Sequence, residues 1–208
     1  MGVTERRERE RAARRDSILG AARTVLLERG VRGTTTKEIS ERCELSEATL
    51  FFYFKSKDEI LLSLIFESIS FWADGLAALS ARDLPPGDLF DAIWEFHEEV
   101  YREHPDYFAI STYLAQPHVL ENVSAEVKGE IARRSGKNFR RLAELLERVS
   151  DAAPGRVLAD TLWSLFLGLT ISKASRANLG HDGPDDGPKI RAAAFALLKR
   201  GLIGDTTP

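Results

Sequence analysis

Residues 30–57 read GVRGTTTKEISERCELSEATLFFYFKSK, and this stretch contains two helix-start signals close together. Thr35 stands three residues before Glu38, which is the spacing of a capping box and predicts a short helix that ends near Cys43. Ser46 is a second N-cap residue and predicts another short helix after a tight turn. Helices this short need packing partners. The pattern indicates a helix-turn-helix, in which the second helix enters the major groove of DNA.

A longer amphipathic helix precedes this stretch and begins at Asp16. Its apolar residues recur at the spacing of one helix face: Ile18, Ala21, Ala22, Val25 and Leu26. Gly30 is a typical C-cap residue and is expected to end the helix. Residues 1–15 hold six arginines and three glutamates but few apolar residues, so we expect a flexible arm. Such an arm either lies along DNA or serves as a solubilising tail.

The rest of the chain has the pattern of long helices separated by proline and glycine. The predicted helices cover about residues 58–79, 88–103, 105–115, 125–149, 157–178 and 189–202, and residues 180–188 (GHDGPDDGP) have a loop composition. No segment shows the alternation of a β-strand, so the predicted fold is all-α. Three parts are expected: an Arg-rich arm (1–15), a helix-turn-helix domain of three helices (16–60) and a larger C-terminal helical domain (61–208).

The net charge of −3 conceals an uneven distribution along the chain. Residues 1–57 hold 13 Lys and Arg against 9 Asp and Glu, whereas residues 58–208 hold 16 against 23. A basic N-terminal part on an acidic body is expected if only that part meets phosphate. Chance clustering on a solvated surface is the alternative.

Composition indicates a globular protein of the cytoplasm. The apolar content of 43% is sufficient for a core, and the single cysteine, Cys43, excludes an internal disulfide and suits a reducing compartment. No uninterrupted run of 18 or more apolar residues occurs, and the N-terminal arginines are not followed by the apolar region of a signal peptide. We therefore expect no membrane segment.

The first residues of the second short helix are expected to meet base edges; these are Ser46, Glu47, Ala48 and Thr49. Glu47 either accepts from a cytosine amino group or only complements the positive helix N-terminus. Further DNA contacts, mainly to phosphates, are expected from Thr35, Thr36, Lys37, Phe51, Tyr53, Lys55 and Lys57. Phe54 is expected in the core, whereas the neighbouring Phe51 and Phe52 cannot both face inward with it.

The segment resembles the DNA-binding domain of the tetracycline-repressor (TetR) family. The matching residues are Ile18 with Ala21-Ala22, Gly30, Thr35-Thr36, Ile39-Ser40, Thr49-Leu50, Phe54, Lys57 and the following Asp58-Glu59-Ile60-Leu61. The resemblance covers about residues 16–62 and is specific, because several spaced positions agree together.

Two positions depart from the family pattern. Glu44 stands in the turn where a glycine is usual, so the turn must tolerate a side chain. Phe51 replaces a frequent tyrosine and lacks a hydroxyl group for a phosphate, and the hydroxyl of Tyr53 is expected to take that role.

The resemblance implies that the C-terminal domain binds a small-molecule effector and forms a homodimer. The protein is then a repressor, released from an inverted-repeat operator by a ligand that the aromatic content predicts to be hydrophobic. Aromatic and histidine residues are the expected pocket lining: Trp72, Trp94, His97, Tyr101, Phe108, Tyr113, Trp163 and Phe166. The last two long helices are the expected dimer interface, through Leu158, Leu162, Leu165, Leu169, Phe195 and Leu198.

Two other functions are weighed against this interpretation. A DNA-binding regulator controlled by a protein partner, or by no ligand, fits the same motif. A helical enzyme is a remote alternative, because the four histidines show no metal-site spacing and no phosphate loop or nucleophile elbow occurs. We therefore expect no catalytic residue, no metal and no cofactor beyond an unidentified effector.

Overall fold

The computed structural model describes residues 3–114, 123–180 and 186–204, and within these ranges all regular structure is helical. Its helices are α1 (Val3–Gly33), α2 (Thr36–Arg42), α3 (Glu47–Tyr53), α4 (Lys57–Ser80), α5 (Pro86–Glu103), α6 (Pro105–Leu114), α7 (Ala125–Val149), α8 (Gly155–Asn178) and α9 (Gly187–Ile203). The predicted all-α fold is confirmed. Most of the expected loop 180–188 lies outside the described residues.

Side-chain caps begin the short helices where the sequence predicts them. The Thr35 hydroxyl accepts the backbone N–H of Glu38 at 3.1 Å, and the Ser46 hydroxyl accepts that of Thr49 at 3.1 Å. A third cap of the same kind, from Ser56, begins α4. The spacing of α2, turn and α3 is therefore determined largely by local hydrogen bonds.

Two residues with positive φ shape the chain around α2. Gly30 has a φ of 64° and kinks α1, but the helix continues to Gly33 and does not end at Gly30 as expected. Glu44 has a φ of 54° in the turn between α2 and α3, the position at which the family pattern has glycine. The turn therefore accommodates a side chain in a left-handed conformation.

Residues 3–15 are a helical extension of α1, exposed over residues 4–14, and this corrects the expectation of a flexible arm. Arginine, glutamate and alanine favour helix, and charges four residues apart pair along its surface. One such pair joins Arg6 Nε to Glu10 Oε1 at 3.3 Å.

Two hydrophobic cores are connected by α4. The N-terminal core contains buried residues of α1, α2, α3 and the first half of α4, together with Ile110 and Tyr113 of α6. The C-terminal core contains the second half of α4, from Trp72 onward, and buried residues of α5 to α8. The predicted domain boundary after residue 60 thus falls near the start of a helix that belongs to both cores.

By length and composition, α4 and α8 each meet the criterion for a membrane-spanning helix. This differs from the expectation that no segment would qualify, because a span tolerates a few polar residues that break an uninterrupted apolar run. In the structure, α4 packs against α5, α6 and α7, and α8 packs against α6 and α7.

A close contact between α7 and α8 requires glycine at position 155. A Cβ atom there would lie 2.4 Å from the carbonyl oxygen of Ala143. We expect Gly155→Ala to lower the free energy of unfolding by about 1–3 kcal/mol, because backbone must shift to admit the methyl group. Urea denaturation measures this change. Gly129→Ala in α7 is the control: its Cβ would meet nothing within 4 Å, so an unchanged or slightly higher stability is expected. Equal effects of the two substitutions on the free energy of unfolding would contradict the claim that the contact between α7 and α8 requires glycine at position 155.

Candidate functional site

The helix-turn-helix presents one open face. All residues predicted to contact DNA are exposed or half-exposed: Thr35, Thr36, Lys37, Ser46, Glu47, Ala48, Thr49, Phe51, Tyr53, Lys55 and Lys57. Behind them, Ile39, Leu50 and Phe54 are buried in the N-terminal core. The buried side chains hold α2 and α3 against α1, so the open face has a defined shape.

Hydrogen bonds order the polar side chains at the start of α3. The Thr36 hydroxyl donates to Glu47 Oε2 at 2.7 Å and so joins the N-terminus of α2 to that of α3. The hydroxyl oxygens of Ser46 and Thr49 lie 2.8 Å apart and share a hydrogen bond. The groups predicted to meet base edges are therefore ordered by hydrogen bonds within the protein.

The three phenylalanines near the end of α3 differ in burial, as the sequence predicts. Phe54 is 1% exposed, which confirms its expected core role, whereas Phe51 is 46% and Phe52 is 70% exposed. The guanidinium carbon of Arg11 lies 5.8 Å from the centre of the Phe52 ring. Two large apolar rings thus remain on the open surface of α3.

Arg15 anchors the C-terminal end of α3, a role that the sequence interpretation missed. Its Nη1 donates to the carbonyl oxygen of Tyr53 at 2.5 Å, and its guanidinium carbon lies 4.0 Å from the centre of the Phe54 ring. A cation at a helix C-terminus satisfies a free carbonyl and complements the helix dipole. The extension of α1 therefore supports the helix that carries the candidate base contacts.

Unpaired lysines flank the same end of α3. Within the described ranges, no ion pair involves Lys55 or Lys57. By contrast, Arg29 pairs with Glu38 at 2.7 Å, and Arg42 pairs with Glu28. Among the described residues, Lys55 and Lys57 therefore keep positive charges that no acidic side chain pairs with.

An ion-pair junction joins α1 to α4 and α6. Arg23 of α1 pairs with Glu67 of α4, and its Nε lies 3.2 Å from Asp106 Oδ2 of α6. Asp106 is only 5% exposed. Burial raises the pKa of its carboxyl group, while the charge of Arg23 acts in the opposite direction. We call Arg23, Glu67 and Asp106 the α1 junction.

A second bond ties α6 to the start of α4. The Tyr113 hydroxyl donates to Asp58 Oδ1 at 2.9 Å, and burial, followed by this bond, raises the pKa of Tyr113. Tyr113 belongs to the N-terminal core, which corrects its expected place in a ligand pocket. Its role in the structure is to fix the end of α6 against α4.

A cavity of about 260 Å³ lies between α4, α6, α7 and α8, where the two cores meet. Of the predicted pocket residues, Trp72 and Trp163 line it. Sequence reasoning missed the other lining residues: Ile65, Ser68, Ile69, Leu76, Ile110, Ser111, Leu114, Ser135, Asn138, Phe139 and Leu142. One signal was available, because Ser68 interrupts an otherwise apolar stripe of α4.

The remaining predicted pocket residues fill the C-terminal core, and this corrects their expected role. Trp94, His97, Phe108 and Phe166 are buried there, and Tyr101 packs against them. Their rings pack on one another, with 5.3 Å between the centres of Trp94 and Phe166 and 5.4 Å between those of His97 and Phe166. Burial lowers the pKa of His97 to about 4, so this side chain is neutral at physiological pH.

Large apolar side chains of both α8 and α9 are open to solvent. Val157 and Ile171 of α8 are 53% and 51% exposed, and Ile190 and Leu197 of α9 are 42% and 68% exposed. The residues predicted for the dimer interface lie elsewhere: Leu162 and Leu169 are buried in the protomer's own core, and Leu158, Leu165, Phe195 and Leu198 are half-buried against it. Two of these six residues are thus buried within the protomer and four are partly covered by it. We call the exposed set Val157, Ile171, Ile190 and Leu197 the α8–α9 face.

No group of three or more potential metal ligands occurs among the described residues. Two of the four histidines considered from the sequence, His118 and His181, lie outside those residues.

Comparison with known proteins agrees with this architecture. Residues 18–64 match the family described as bacterial regulatory proteins, tetR family. The HTH-type transcriptional regulator RutR of Escherichia coli K12 is 24% identical over 136 residues, which are 64% of this chain and 64% of RutR. PksA of Bacillus subtilis, also an HTH-type transcriptional regulator, is 32% identical over 107 residues, 48% of this chain and 51% of PksA. The chain thus spans about two thirds or less of these curated relatives.

A solved structure shares the fold over nearly the whole chain. AibR, crystallised with isovaleryl coenzyme A and operator DNA, has a TM-score of 0.65 and 18% identity, and the match covers 92% of this chain and 98% of AibR. The named relatives are transcriptional regulators and not enzymes, in agreement with the expectation from the sequence. Residues 18–64 therefore form a helix-turn-helix domain of the tetR family of bacterial regulatory proteins, and the chain's relatives and fold together indicate a TetR-family transcriptional regulator.

Proposed function

We propose that this protein is a cytoplasmic, dimeric transcriptional repressor that a small hydrophobic ligand releases from an inverted-repeat operator. The observation that carries the proposal is the position of the cavity. It is walled by α4 and α6, the two helices that the α1 junction ties to the helix-turn-helix. A molecule in this cavity contacts the same helices that hold α1 in place.

DNA contact is assigned to the open face of α2 and α3. Ser46, Glu47, Ala48 and Thr49 read base edges, because they form the exposed N-terminal turn of α3. Lys55 and Lys57 contact phosphates, because they are unpaired by acidic side chains among the described residues. Tyr53 adds a hydroxyl beside them, and Thr35, Thr36 and Lys37 contact the backbone from the start of α2.

Dimerisation is assigned to the α8–α9 face, and a second copy of the chain is its occupant. Four large apolar side chains of α8 and α9 are exposed, two of them more than half exposed on α8, and such side chains favour burial against a partner. A two-fold dimer presents two α3 helices to successive major grooves, about 34–36 Å apart. The operator is then an inverted repeat.

Release follows from differential binding to two conformers. The ligand must bind the conformer that does not fit DNA more tightly, because equal affinity shifts no population. AibR, which shares the fold, was crystallised with both a ligand and operator DNA. In this chain, occupation of the cavity displaces α4 and α6, and the α1 junction passes that displacement to α1.

Substitutions separate the proposed base contacts from the proposed phosphate contacts. Lys57→Ala should weaken binding to all DNA sequences. It should also reduce the magnitude of the slope of log K against log salt concentration by about one. Thr49→Ala should instead change the preference at one base step. Fluorescence anisotropy across a salt series and a panel of single-base operator variants measures both effects.

The matched control is Lys137→Ala, an exposed lysine in the middle of α7. It should leave affinity and salt slope unchanged. An unchanged salt slope for Lys57→Ala would remove this lysine from the interface, and a uniform loss for Thr49→Ala would make Thr49 a phosphate contact.

A further inference from the structure

The wall of the cavity between α4, α6, α7 and α8 carries no ionisable side chain among the described residues. Its polar members are the three serines 68, 111 and 135, the Asn138 amide and the indole N–H groups of Trp72 and Trp163, and the other lining residues are apolar. His97 packs against Trp72 with 4.9 Å between ring centres, and its low pKa keeps it neutral. A charged molecule placed here would lose its hydration and gain no counter-charge. The cavity therefore selects an uncharged occupant.

One hydrogen-bond donor in the wall lacks an acceptor. Trp72 is only 6% exposed, and its indole Nε1 is buried and has no hydrogen-bond partner among the described residues. An indole N–H can donate but cannot accept, and an unmade bond of this kind is costly in a buried site. The Asn138 side chain is already used, because its Nδ2 donates to the carbonyl oxygen of Ile69 at 2.8 Å. Trp72 is therefore the lining group that most requires an acceptor from the occupant.

The volume restricts the size of the occupant. Pockets for drug-sized ligands usually measure about 300–1,000 Å³, and this cavity measures about 260 Å³. Two tryptophans and a phenylalanine in the lining, Trp72, Trp163 and Phe139, favour a ring over a flexible chain.

We propose that the cavity binds a small, uncharged, ring-containing molecule with one accepting oxygen, such as a ketone, ester or lactone, and that this oxygen accepts a hydrogen bond from Trp72 Nε1. The inference rests on the proposed function in taking the cavity as the effector site. It makes that function more specific by excluding carboxylates, phosphates and cationic compounds from the part of the effector that is enclosed.

Three compounds of similar shape test the proposal by isothermal titration calorimetry on the full chain. Benzophenone is uncharged and has a carbonyl oxygen, 1,1-diphenylethylene has a methylene group in place of that oxygen, and diphenylacetate carries a carboxylate. We expect benzophenone to bind about tenfold more tightly than 1,1-diphenylethylene because of the added hydrogen bond. Diphenylacetate should bind at least about tenfold more weakly than benzophenone, because its charge is desolvated without a partner.

A pair of tryptophan substitutions locates the hydrogen bond. Trp72→Phe removes the N–H group, so the preference for benzophenone over 1,1-diphenylethylene should disappear. Trp94→Phe is the matched control, because Trp94 is buried in the same core but does not line the cavity, and the preference should remain. The ranking of the three compounds on the unaltered chain needs no variant, so it tests the proposal even if Trp72→Phe does not fold.

Three results would overturn the proposal: no heat of binding from any of the compounds, equal affinity for benzophenone and 1,1-diphenylethylene, or equal affinity for benzophenone and diphenylacetate. Operator release is measured separately by fluorescence anisotropy. If benzophenone binds with the expected preference but never releases DNA, the proposed function fails and the assignment of ligand class stands.

Discussion

Leu197→Glu is expected to convert the dimer into monomers and to weaken operator binding by about 10²- to 10⁴-fold. Two linked half-site contacts gain this factor over a single contact, because the second binding event is intramolecular. Leu197 is 68% exposed, so the protomer itself loses little packing when the side chain changes. In a two-fold dimer, one substitution places two carboxylates in the apolar interface, each without a counter-charge. Sedimentation equilibrium gives the oligomeric state, and fluorescence anisotropy gives the affinity.

The control for this experiment is Ala132→Glu, which adds the same charge to an exposed position of α7. It should leave the protein dimeric, with unchanged operator affinity. If Leu197→Glu stays dimeric and binds DNA normally, the α8–α9 face is not the dimer interface.

Arg23→Met is expected to lower the free energy of unfolding by about 1–3 kcal/mol at neutral pH. The substitution keeps the apolar stem but leaves the carboxylate of Asp106, whose side chain is 8% exposed, without its partner. The expected loss of stability is smaller than the usual cost of breaking a fully buried ion pair. The side chains of Arg23 and Glu67 are 32% and 35% exposed, so solvent screens their interaction.

The loss should depend on pH, with a sign given by Asp106. Burial raises the pKa of this carboxyl group in the folded protein, so its protonated form is favoured there, and the associated stability is lost as pH rises through the folded pKa. Removing Arg23 removes an interaction that lowers this pKa, so the pKa of Asp106 rises further in the variant. The difference in the free energy of unfolding between the unaltered protein and Arg23→Met should therefore be largest above the pKa of Asp106 in the variant. It should shrink as the pH falls through that pKa.

Urea denaturation at neutral and mildly acid pH measures this behaviour. The double variant Arg23→Met with Asp106→Asn is the control, because it removes the unpaired carboxylate and should recover part of the stability at neutral pH. A stability loss that is the same at both pH values, with no recovery in the double variant, would show that Asp106 is not the group left unpaired.

Arg23→Met should also separate ligand binding from DNA release. None of the three residues of the α1 junction lines the cavity, so the affinity for a cavity ligand should be retained. The change in operator affinity on saturation with that ligand should become smaller, because the ion pairs that link α1 to α4 and α6 are lost while only the apolar packing remains.

The helix-turn-helix was predictable because its determinants are local. The hydroxyls of Thr35 and Ser46 bond to backbone groups three residues away, and Phe54 follows a spacing that places it behind α3. The helical state of residues 3–15 was not foreseen, because low apolar content was taken to mean a flexible arm. Helix propensity and the pairing of Arg6 with Glu10 indicate the opposite outcome.

The cavity and the dimer surface depend on tertiary packing, which residue type alone does not reveal. Phe108 and Phe166 are plausible lining residues by type, yet their rings fill the core, and the space lies between α4, α6, α7 and α8, where Ser68, Ser111 and Ser135 are among the lining residues. In α8, apolar residues occur on more than one side. Periodicity identified the stripe that contains Leu162, but only the packed fold shows that Leu162 and Leu169 of this stripe are buried in the protomer.

Long-range ion pairs were equally invisible in the sequence. Arg23 and Asp106 are far apart along the chain, and nothing in their local context pairs them. Their proximity depends on how α6 crosses α1, which in turn depends on the N-terminal core around Ile110.

The most direct test of the central claim is selection of duplex DNA from a random-sequence library by the full chain, followed by sequencing of the bound fraction. The account predicts enrichment of an inverted repeat whose half-site centres are about one helical turn, or a multiple of it, apart. Enrichment of a single unpaired half-site, or no enrichment over the starting library, would contradict it.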